Sequence, residues 1–448
     1  MHVLIIGGSD AGISAALRIR ELDAAAEVSV LLKDHYPYYS ICGLPFWISG
    51  ETANLHHLAH RSLAELEGAG LNIQANTTAE TVDARNKTVA IQNGTQIAYD
   101  RLILATGARA RRPRLAGIDQ PGVFTLRWMG DGLQLQHYLN VRQPRHAVIV
   151  GGGYIGIEMA DALHRRGLEL ALVEHRDSLL HTIHPSLTAR LQEALQQQGH
   201  RLHFQKRLVE IHGEGTALAV ELSDGTLIHT EMVLLAVGAV PSTELAGSAG
   251  ISVGVGGAMV VDRQLRTGID RIWAAGDGVE TYHRLLQRNT YQPLGTNAHK
   301  QGRIAGENAL GGSRQYAGTL GSQVVKVFDQ VAARTGLRSQ EAVDEGWEPM
   351  SEGFCCQSHK SYVPGAETLQ FRVTGDRRSG RLLGAQITGP AGAEVAKRLD
   401  TFANALYHQQ TVEDINDLDL CYTPPISSPW DPVQMAAQHW CRQRDGAS

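Results

Sequence analysis

Cys42 occupies the segment of the sequence best suited to redox chemistry. It follows a turn-rich stretch and comes directly before Gly43 and Pro45, a spacing that predicts a loop entering a helix. A helix N-terminus lowers the pKa of a nearby thiol, and the thiolate is the form that attacks sulfur. The alternative for a lone cysteine is inert packing in the core.

The other cysteines are weaker candidates. Cys355 and Cys356 are adjacent, which fits either a soft-metal site or two neighbouring strand residues that point to opposite faces. We favour the strand interpretation and predict no metal site. Cys421 and Cys441 have no partner at a useful spacing, and five cysteines in 448 residues do not make a disulfide scaffold.

Two segments of similar sequence, 3–12 and 147–156, each predict a buried strand, a glycine turn and a helix. The second fits G-x-G-x-x-G, whereas Ser9 takes the place of the middle glycine in the first. Backbone N–H groups at such a helix N-terminus bind a pyrophosphate. One match alone would fit an ordinary turn, but two copies indicate two dinucleotide sites, usually FAD and NAD(P). The expected contacts are Gly7, Gly8, Ser9 and Gly12 for FAD, and Gly151, Gly153, Tyr154, Ile155 and Gly156 for NAD(P).

The residue that ends the second strand of each unit tests this interpretation. In the second unit it is Glu174, whose carboxylate accepts hydrogen bonds from a ribose 2′-OH and repels a 2′-phosphate. NADH is therefore expected over NADPH, although Arg176 could weaken the preference. In the first unit Leu32 stands where the acid is expected, and Lys33 and Asp34 follow as candidate FAD contacts. Whether Asp34 substitutes for the missing acid stays open.

Two further strand-and-glycine segments, 102–108 and 272–278, complete the pattern. Ala105, Thr106 and Gly107 end the first. Asp277 ends the second, where a carboxylate either bonds flavin ribityl hydroxyls or caps a turn.

With these segments the chain resembles the pyridine nucleotide–disulfide oxidoreductases. It is most similar to their single-cysteine branch, which contains coenzyme A-disulfide reductases, persulfide reductases and NADH oxidases. The resemblance covers nearly the whole chain, and its most specific pieces are segments 40–46, 151–158, 293–303 and 422–425. It implies an α/β fold with two Rossmann-like domains and an α+β dimerisation domain. The expected boundaries are 1–115 and 246–320 for the FAD domain, 116–245 for the NAD(P) domain and 321–448 for the dimerisation domain. The resemblance also makes Gly238 an expected cofactor contact.

The resemblance also implies roles for individual side chains. The two-cysteine relatives need a partner five residues away, where this chain has Pro37 and Trp47. A single Cys42 would attack a disulfide or persulfide substrate and hold a mixed disulfide or a persulfide. Electrons from reduced flavin would then release the cysteine.

Three further residues receive roles through the same resemblance. Tyr362 and Tyr422 would reach Cys42 of the other subunit of a homodimer, and Glu158 would lie near the nicotinamide. The alternatives are aromatic packing in a dimer core and an ordinary helical glutamate.

Departures from the family pattern shape the functional prediction. Asp10 stands where the oxidase relatives carry a histidine, which argues against a dedicated oxidase, and Ile41 replaces an asparagine.

We predict an FAD-dependent NAD(P)H:disulfide or persulfide reductase with coenzyme A as the first substrate candidate. The phosphates of coenzyme A would contact Arg18, Arg20 and Arg61. The alternative is that these three arginines are solvated surface residues. The alternatives are an NADH oxidase or NADH:acceptor oxidoreductase, and an NADH-responsive redox-sensing flavoprotein.

Composition excludes several other classes of protein. The net charge of -5 and the absence of a basic cluster argue against a nucleic-acid partner. No apolar run approaches the ~18 residues of a membrane-spanning helix. We therefore expect a cytoplasmic protein that uses small-molecule substrates.

Overall fold

The N-terminal apolar run forms the centre of a parallel sheet. The computed structural model describes residues 1–214 and 217–446. The first part of the chain forms β1 His2–Ile6, α1 Asp10–Leu22, β2 Glu27–Leu31, α2 Leu44–Ser49, α3 Leu63–Gly68, β3 Leu71–Gln74, β4 Ala79–Asp83, β5 Thr88–Ile91, β6 Gln96–Ala98, β7 Arg101–Leu104 and β8 Ala108–Ala110.

A second Rossmann-like unit follows. It forms β9 Val123–Thr125, α4 Met129–Arg142, β10 His146–Val150, α5 Tyr154–Arg165, β11 Glu169–Glu174, α6 Pro185–Gln197, β12 Arg201–Phe204, β13 Leu208–Glu214, β14 Ala217–Leu222, β15 Leu227–Thr230, β16 Met232–Leu235 and β17 Ala239–Pro241.

The chain then returns to the first unit through α7 Glu244–Ala249, β18 Ile272–Ala274, β19 Thr281–His283, β20 Arg288–Thr290 and α8 Gly295–Ala309. It ends in β21 Gln323–Val327, β22 Gln330–Gly336, α9 Ser339–Asp344, β23 Pro349–Gln357, β24 Thr368–Asp376, β25 Leu382–Pro390, α10 Val395–Tyr407, α11 Val412–Asn416 and α12 Pro432–Asp445.

The two Rossmann-like sheets have matching strand orders. The first runs β18-β7-β1-β2-β3 and the second β9-β16-β10-β11-β12, with every pair parallel. Their central strands are buried on both faces, which explains the continuous apolar runs in the sequence. Strand β18 joins the first sheet although the whole second unit separates it from β7, so the first unit is discontinuous.

The C-terminal part is an antiparallel sheet in the order β21-β22-β25-β24-β23. Helices α10 and α12 cover it around a core that contains Phe371, Phe402 and Trp440. The predicted α/β fold with a C-terminal α+β domain is confirmed. The exact domain boundaries stay predictions. In the described part of the chain, no helix combines the length and apolar character needed to cross a bilayer.

Candidate active site

The Cys42 loop is anchored by the helix that follows it. Cys42 lies in a 3-10 turn, Ile41–Gly43, that continues directly into α2. Leu44 and Ile48 of α2 are fully buried in a core shared with the second Rossmann-like unit. A Cβ on Gly43 would lie 2.6 Å from Leu58 Cδ2, so any side chain there would require Leu58 to move.

One backbone hydrogen bond ties the same loop to the first glycine turn, and another ties it to Leu58. The Tyr38 N–H donates to the Gly8 carbonyl at 2.8 Å, and the Ser40 N–H donates to the Leu58 carbonyl at 2.7 Å. Only three residues lie between Tyr38 and Cys42 along the chain, so the cysteine is held near the predicted flavin pyrophosphate loop.

The thiol of Cys42 is exposed, yet protein surrounds it on most sides. Its pKa is raised above the usual value, first by burial and then by the negative charges of Glu158 and Asp10, while Arg127 opposes the shift. We predicted that a helix N-terminus lowers the pKa of Cys42. The protein atoms alone raise it instead, so that prediction is wrong for the protein without its cofactors. Desolvation is the largest cause of the rise, and the two nearby carboxylates add to it.

The first glycine turn has the close contacts that its sequence predicts. Gly7 has φ 113°, and a Cβ there would lie 2.1 Å from the Ala105 carbonyl oxygen. A Cβ on Gly12 would lie 1.8 Å from the Gly7 oxygen, because α1 packs directly on the turn. The Ser9 side chain makes no capping hydrogen bond to α1. The turn therefore leaves backbone N–H groups at the start of α1 to meet an anion.

The second glycine turn repeats this geometry. Gly151 has φ 112°, and Cβ atoms on Gly151 and Gly156 would lie 2.3 Å and 1.9 Å from backbone oxygens. A Cβ on Gly153 would meet nothing within 4 Å, so the fold itself does not require glycine there. That opening fits the close approach of a pyrophosphate. Tyr154 and Ile155 begin α5, and the Tyr154 hydroxyl lies 3.3 Å from Thr182 Oγ1.

Glu174 ends β11 next to this turn. Its Oε2 accepts a hydrogen bond from the Gly152 N–H at 2.7 Å, and its Oε1 accepts one from the Arg176 N–H at 2.9 Å. In the first unit the Leu32 side chain packs against Gly8 instead, 3.0 Å from where a Cβ would lie.

Asp34 makes a local contact within the protein. Its Oδ1 accepts the Tyr36 N–H at 2.8 Å and closes a local turn. The exposed Lys33 precedes it. Leu32 thus gives the first unit an apolar contact where the second unit has a carboxylate.

Asp277 follows β18 and is largely buried beside Arg127. The Arg127 guanidinium pairs with its carboxylate, and the Tyr291 hydroxyl donates to its backbone carbonyl at 3.1 Å. Burial raises the pKa of Asp277, whereas Arg127 opposes that rise. Arg127 is a residue of this site that the sequence pattern did not identify.

The remaining candidate cofactor contacts lie where the two units meet. The Thr106 hydroxyl donates to the Ser242 carbonyl at 2.6 Å, and Gly107 has φ 67°. Gly238 has φ 103°, and its carbonyl accepts a hydrogen bond from the Arg111 N–H. This bond lies next to the antiparallel pair of strands β8 and β17. Ala105 lies against Gly7.

Glu158 lies on α5, close enough to Cys42 for its charge to act on the thiol. Burial raises its pKa to about 7. A carboxyl group whose pKa is raised toward neutrality is suited to exchanging protons.

The two candidate tyrosines lie together on the surface of the C-terminal domain. Tyr362 is 72% exposed and Tyr422 44% exposed. Desolvation, and then the phenol of Tyr362, raise the pKa of Tyr422. Ile426 and Trp430 are also exposed nearby in the sequence. The proximity of the phenols and this exposed apolar surface fit a face that meets another subunit.

Two of the three arginines predicted to meet coenzyme A have other partners. Arg18 forms an ion pair with Glu307 at 2.7 Å. The Arg20 guanidinium donates to the carbonyls of Ala24 and Ala26, both at 2.7 Å. Of these three arginines, Arg61 is the one that is exposed and forms no ion pair with the described residues.

The adjacent cysteines behave as strand residues. In β23 Cys355 is exposed and Cys356 is partly buried against the core, as expected for opposite faces. Burial raises the pKa of Cys356 to about 12, which makes it an unreactive thiol.

Comparisons with known sequences match nearly the whole chain. A family model described as "Pyridine nucleotide-disulphide oxidoreductase" matches residues 1–302, and the dimerisation domain of the same family matches residues 322–432. The chain is 31% identical over 439 residues to the NAD(P)H coenzyme A polysulfide/persulfide reductase of Pyrococcus horikoshii, covering 97% of each chain. It is 30% identical over 444 residues to an NADH oxidase of Methanocaldococcus jannaschii, covering 98% of each.

Among solved structures, an NAD-dependent persulfide reductase from A. fulgidus superposes with a TM-score of 0.96 at 32% identity. The match covers 100% of this chain and 84% of that one. The fold and the sequence thus resemble sulfur reductases over the full described length.

Proposed function

The chain belongs to the pyridine nucleotide-disulphide oxidoreductase family, and on this premise we propose that it is an NADH-dependent disulfide or persulfide reductase that uses Cys42. The family depends on FAD and NAD(P)H. The observation that carries the proposal is the hydrogen bond from the Tyr38 N–H to the Gly8 carbonyl, because it links the cysteine loop to the first glycine turn.

The residues of the first glycine turn fit FAD. Gly7, Gly8, Ser9 and Gly12 would meet its pyrophosphate, and Asp277 would meet its ribityl hydroxyls. The second turn would hold the NADH pyrophosphate, with Glu174 accepting from the ribose. When bound, the flavin supplies a two-electron relay between the hydride of NADH and sulfur.

The Cys42 thiolate would attack one sulfur of a disulfide and release the other as a thiolate, which leaves a mixed disulfide on Cys42. Two electrons from NADH, passed on through the cofactor, then break that S–S bond and return the Cys42 thiolate. The second half of the substrate also leaves as a thiolate. Protons for the departing thiolates would come from Tyr362 and Tyr422 of the other subunit in a homodimer.

Coenzyme A disulfide or coenzyme A persulfide is the substrate we propose to test first. The relative from Pyrococcus horikoshii is named for its coenzyme A polysulfide and persulfide substrates. Of the three arginines considered for its phosphates, Arg61 is the one that remains, since Arg18 and Arg20 are engaged elsewhere.

Steady-state NADH oxidation tests this proposal. The purified holoenzyme is assayed separately with coenzyme A disulfide, coenzyme A persulfide, polysulfide and oxygen. Turnover of a sulfur substrate well above the oxygen rate supports the proposal. Oxygen turnover that equals or exceeds every sulfur rate would favour an oxidase, the activity named for the Methanocaldococcus jannaschii relative.

A further inference from the structure

Two imidazoles and one carboxylate converge at the start of α1. His299 Nε2 lies 3.5 Å and His60 Nε2 lies 4.0 Å from Asp10 Oδ1. One ligand-capable atom from each of the three side chains falls within 4.8 Å of the other two. Ligands on a tetrahedral zinc ion lie about 3.4 Å apart when the bonds are about 2.0–2.2 Å long. Small side-chain rotations would therefore bring this set to coordination distance.

Packing of the elements creates this convergence. A Cβ on Gly302 would lie 2.2 Å from the Ala11 carbonyl oxygen, so α8 and α1 are in backbone contact there. His299 precedes Gly302 by three residues on α8 and faces α1 for that reason. His60 is placed by its backbone, whose N–H donates to the Tyr38 carbonyl at 3.0 Å.

One of the two imidazoles, His299, is oriented as metal-binding histidines usually are. The Nδ1 atom of His299 lies 3.0 Å from Ser14 Oγ, so its Nε2 is left to face the carboxylate. Metal-binding histidines commonly use their second ring nitrogen for such a bond. The His60 ring lies against Tyr38, with ring centroids 4.8 Å apart.

The carboxylate also lacks a conventional partner. Asp10 Oδ1 is buried, and none of the described residues donates a hydrogen bond to it. Burial raises the pKa of Asp10, while His299, His60 and Arg127 oppose the rise. A buried acceptor oxygen with two imidazole nitrogens near it would be satisfied by a cation.

We propose that Asp10, His60 and His299 form a binding site for one divalent first-row transition metal, with Zn²⁺ as the probe. Two imidazoles and a carboxylate suit such ions and leave coordination positions open. Asp10 lies close enough to Cys42 for its charge to act on the thiol. The two proposals still fail independently, because zinc binding is measured without any sulfur substrate or turnover.

Calorimetric titration of the EDTA-treated holoenzyme with Zn²⁺ tests this site. About one zinc ion per chain is expected to bind, and binding is expected to persist in Cys42→Ser because the thiol is not a ligand. The His60→Ala/His299→Ala double variant should lose this binding. Ser14→Ala should weaken it about tenfold or more, as for other groups that orient a metal ligand. His57→Ala, an exposed histidine on the same segment, is the matched control and should bind like wild type.

X-ray absorption at the zinc edge provides a readout independent of activity. Nitrogen and oxygen neighbours without sulfur are expected. Zinc that binds equally in the double variant, zinc coordinated by sulfur, or no stoichiometric zinc in the wild type would overturn the proposal.

Discussion

At the scale of the residue, the ionisation of Cys42 depends on its carboxylate neighbours. After burial, the charges of Glu158 and then Asp10 contribute to raising the thiol pKa. The Cys42 thiolate needed for attack on sulfur must therefore be stabilised by the cofactor or substrate that binds beside it. Removing a neighbouring negative charge should lower the pKa of the thiol.

Glu158→Gln is expected to lower the pKa of Cys42. The pKa of Glu158 is about 7, so the side chain is ionised in the alkaline range where the thiol titrates and disfavours the thiolate there. The rate of iodoacetamide modification at Cys42, followed by peptide mass spectrometry against pH, should rise at lower pH in this variant. Glu193→Gln, which alters an exposed glutamate on α6, should leave the curve unchanged. A wild-type curve for Glu158→Gln would show that its charge does not reach the thiol.

Glu174→Gln is expected to weaken the preference for NADH. The amide still offers an oxygen to the Gly152 N–H, but it no longer repels a 2′-phosphate. The ratio of kcat/KM for NADH to that for NADPH should fall by about one to two orders of magnitude, since loss of a charged contact costs about 1.5–3 kcal/mol. Glu169→Gln, at the exposed opposite end of β11, is the control. An unchanged ratio would assign cofactor choice to Arg176 or another group.

At the scale of the element, the contact between α1 and α8 supports both the first glycine turn and the Asp10 cluster. Gly302→Ala should destabilise the protein by about 1–3 kcal/mol, because its Cβ would collide with the Ala11 carbonyl. It should also reduce bound flavin, measured by absorbance after desalting. Gly130→Ala on α4 introduces a Cβ with nothing within 4 Å and should be neutral or slightly stabilising. Wild-type flavin content and melting temperature in Gly302→Ala would contradict this account of the contact.

Local patterns predicted the strand, turn and helix of each Rossmann-like unit because buried parallel strands are continuously apolar and the turns require glycine. The same reasoning could not identify Arg127 or His60. Both lie in segments without periodic pattern, and only tertiary contacts bring them to Asp277 and Asp10. His299 lies in segment 293–303, which was recognised as a motif, but its contact with Asp10 depends on how α8 packs on α1.

The pKa of Cys42 escaped prediction for a related reason. A local pattern shows the start of a helix, but it does not show which carboxylates other elements bring nearby. Glu158 comes from α5 and Asp10 from α1, and both belong to parts of the sequence remote from the Cys42 loop.

At the scale of the whole molecule, each complete site should draw on two subunits. Mixing Cys42→Ser chains with Tyr362→Phe/Tyr422→Phe chains should restore activity, because one site in each mixed dimer then has an intact cysteine and intact tyrosines. Each variant alone should show a lower sulfur-reductase rate than the mixture, measured after exchange with differently tagged subunits. Verified mixed dimers without recovery would mean that the tyrosines do not act across the interface.

The most direct test of the central claim is NADH-driven turnover of coenzyme A disulfide or persulfide by wild type and Cys42→Ser, with flavin reduction followed in the same preparations. We predict that Cys42→Ser retains flavin and is reduced by NADH, yet loses sulfur turnover by several orders of magnitude, as expected when a covalent nucleophile is removed. Cys355→Ser, the control at an exposed cysteine, should stay within a few-fold of wild type. Sulfur turnover near the wild-type rate in Cys42→Ser would contradict the account.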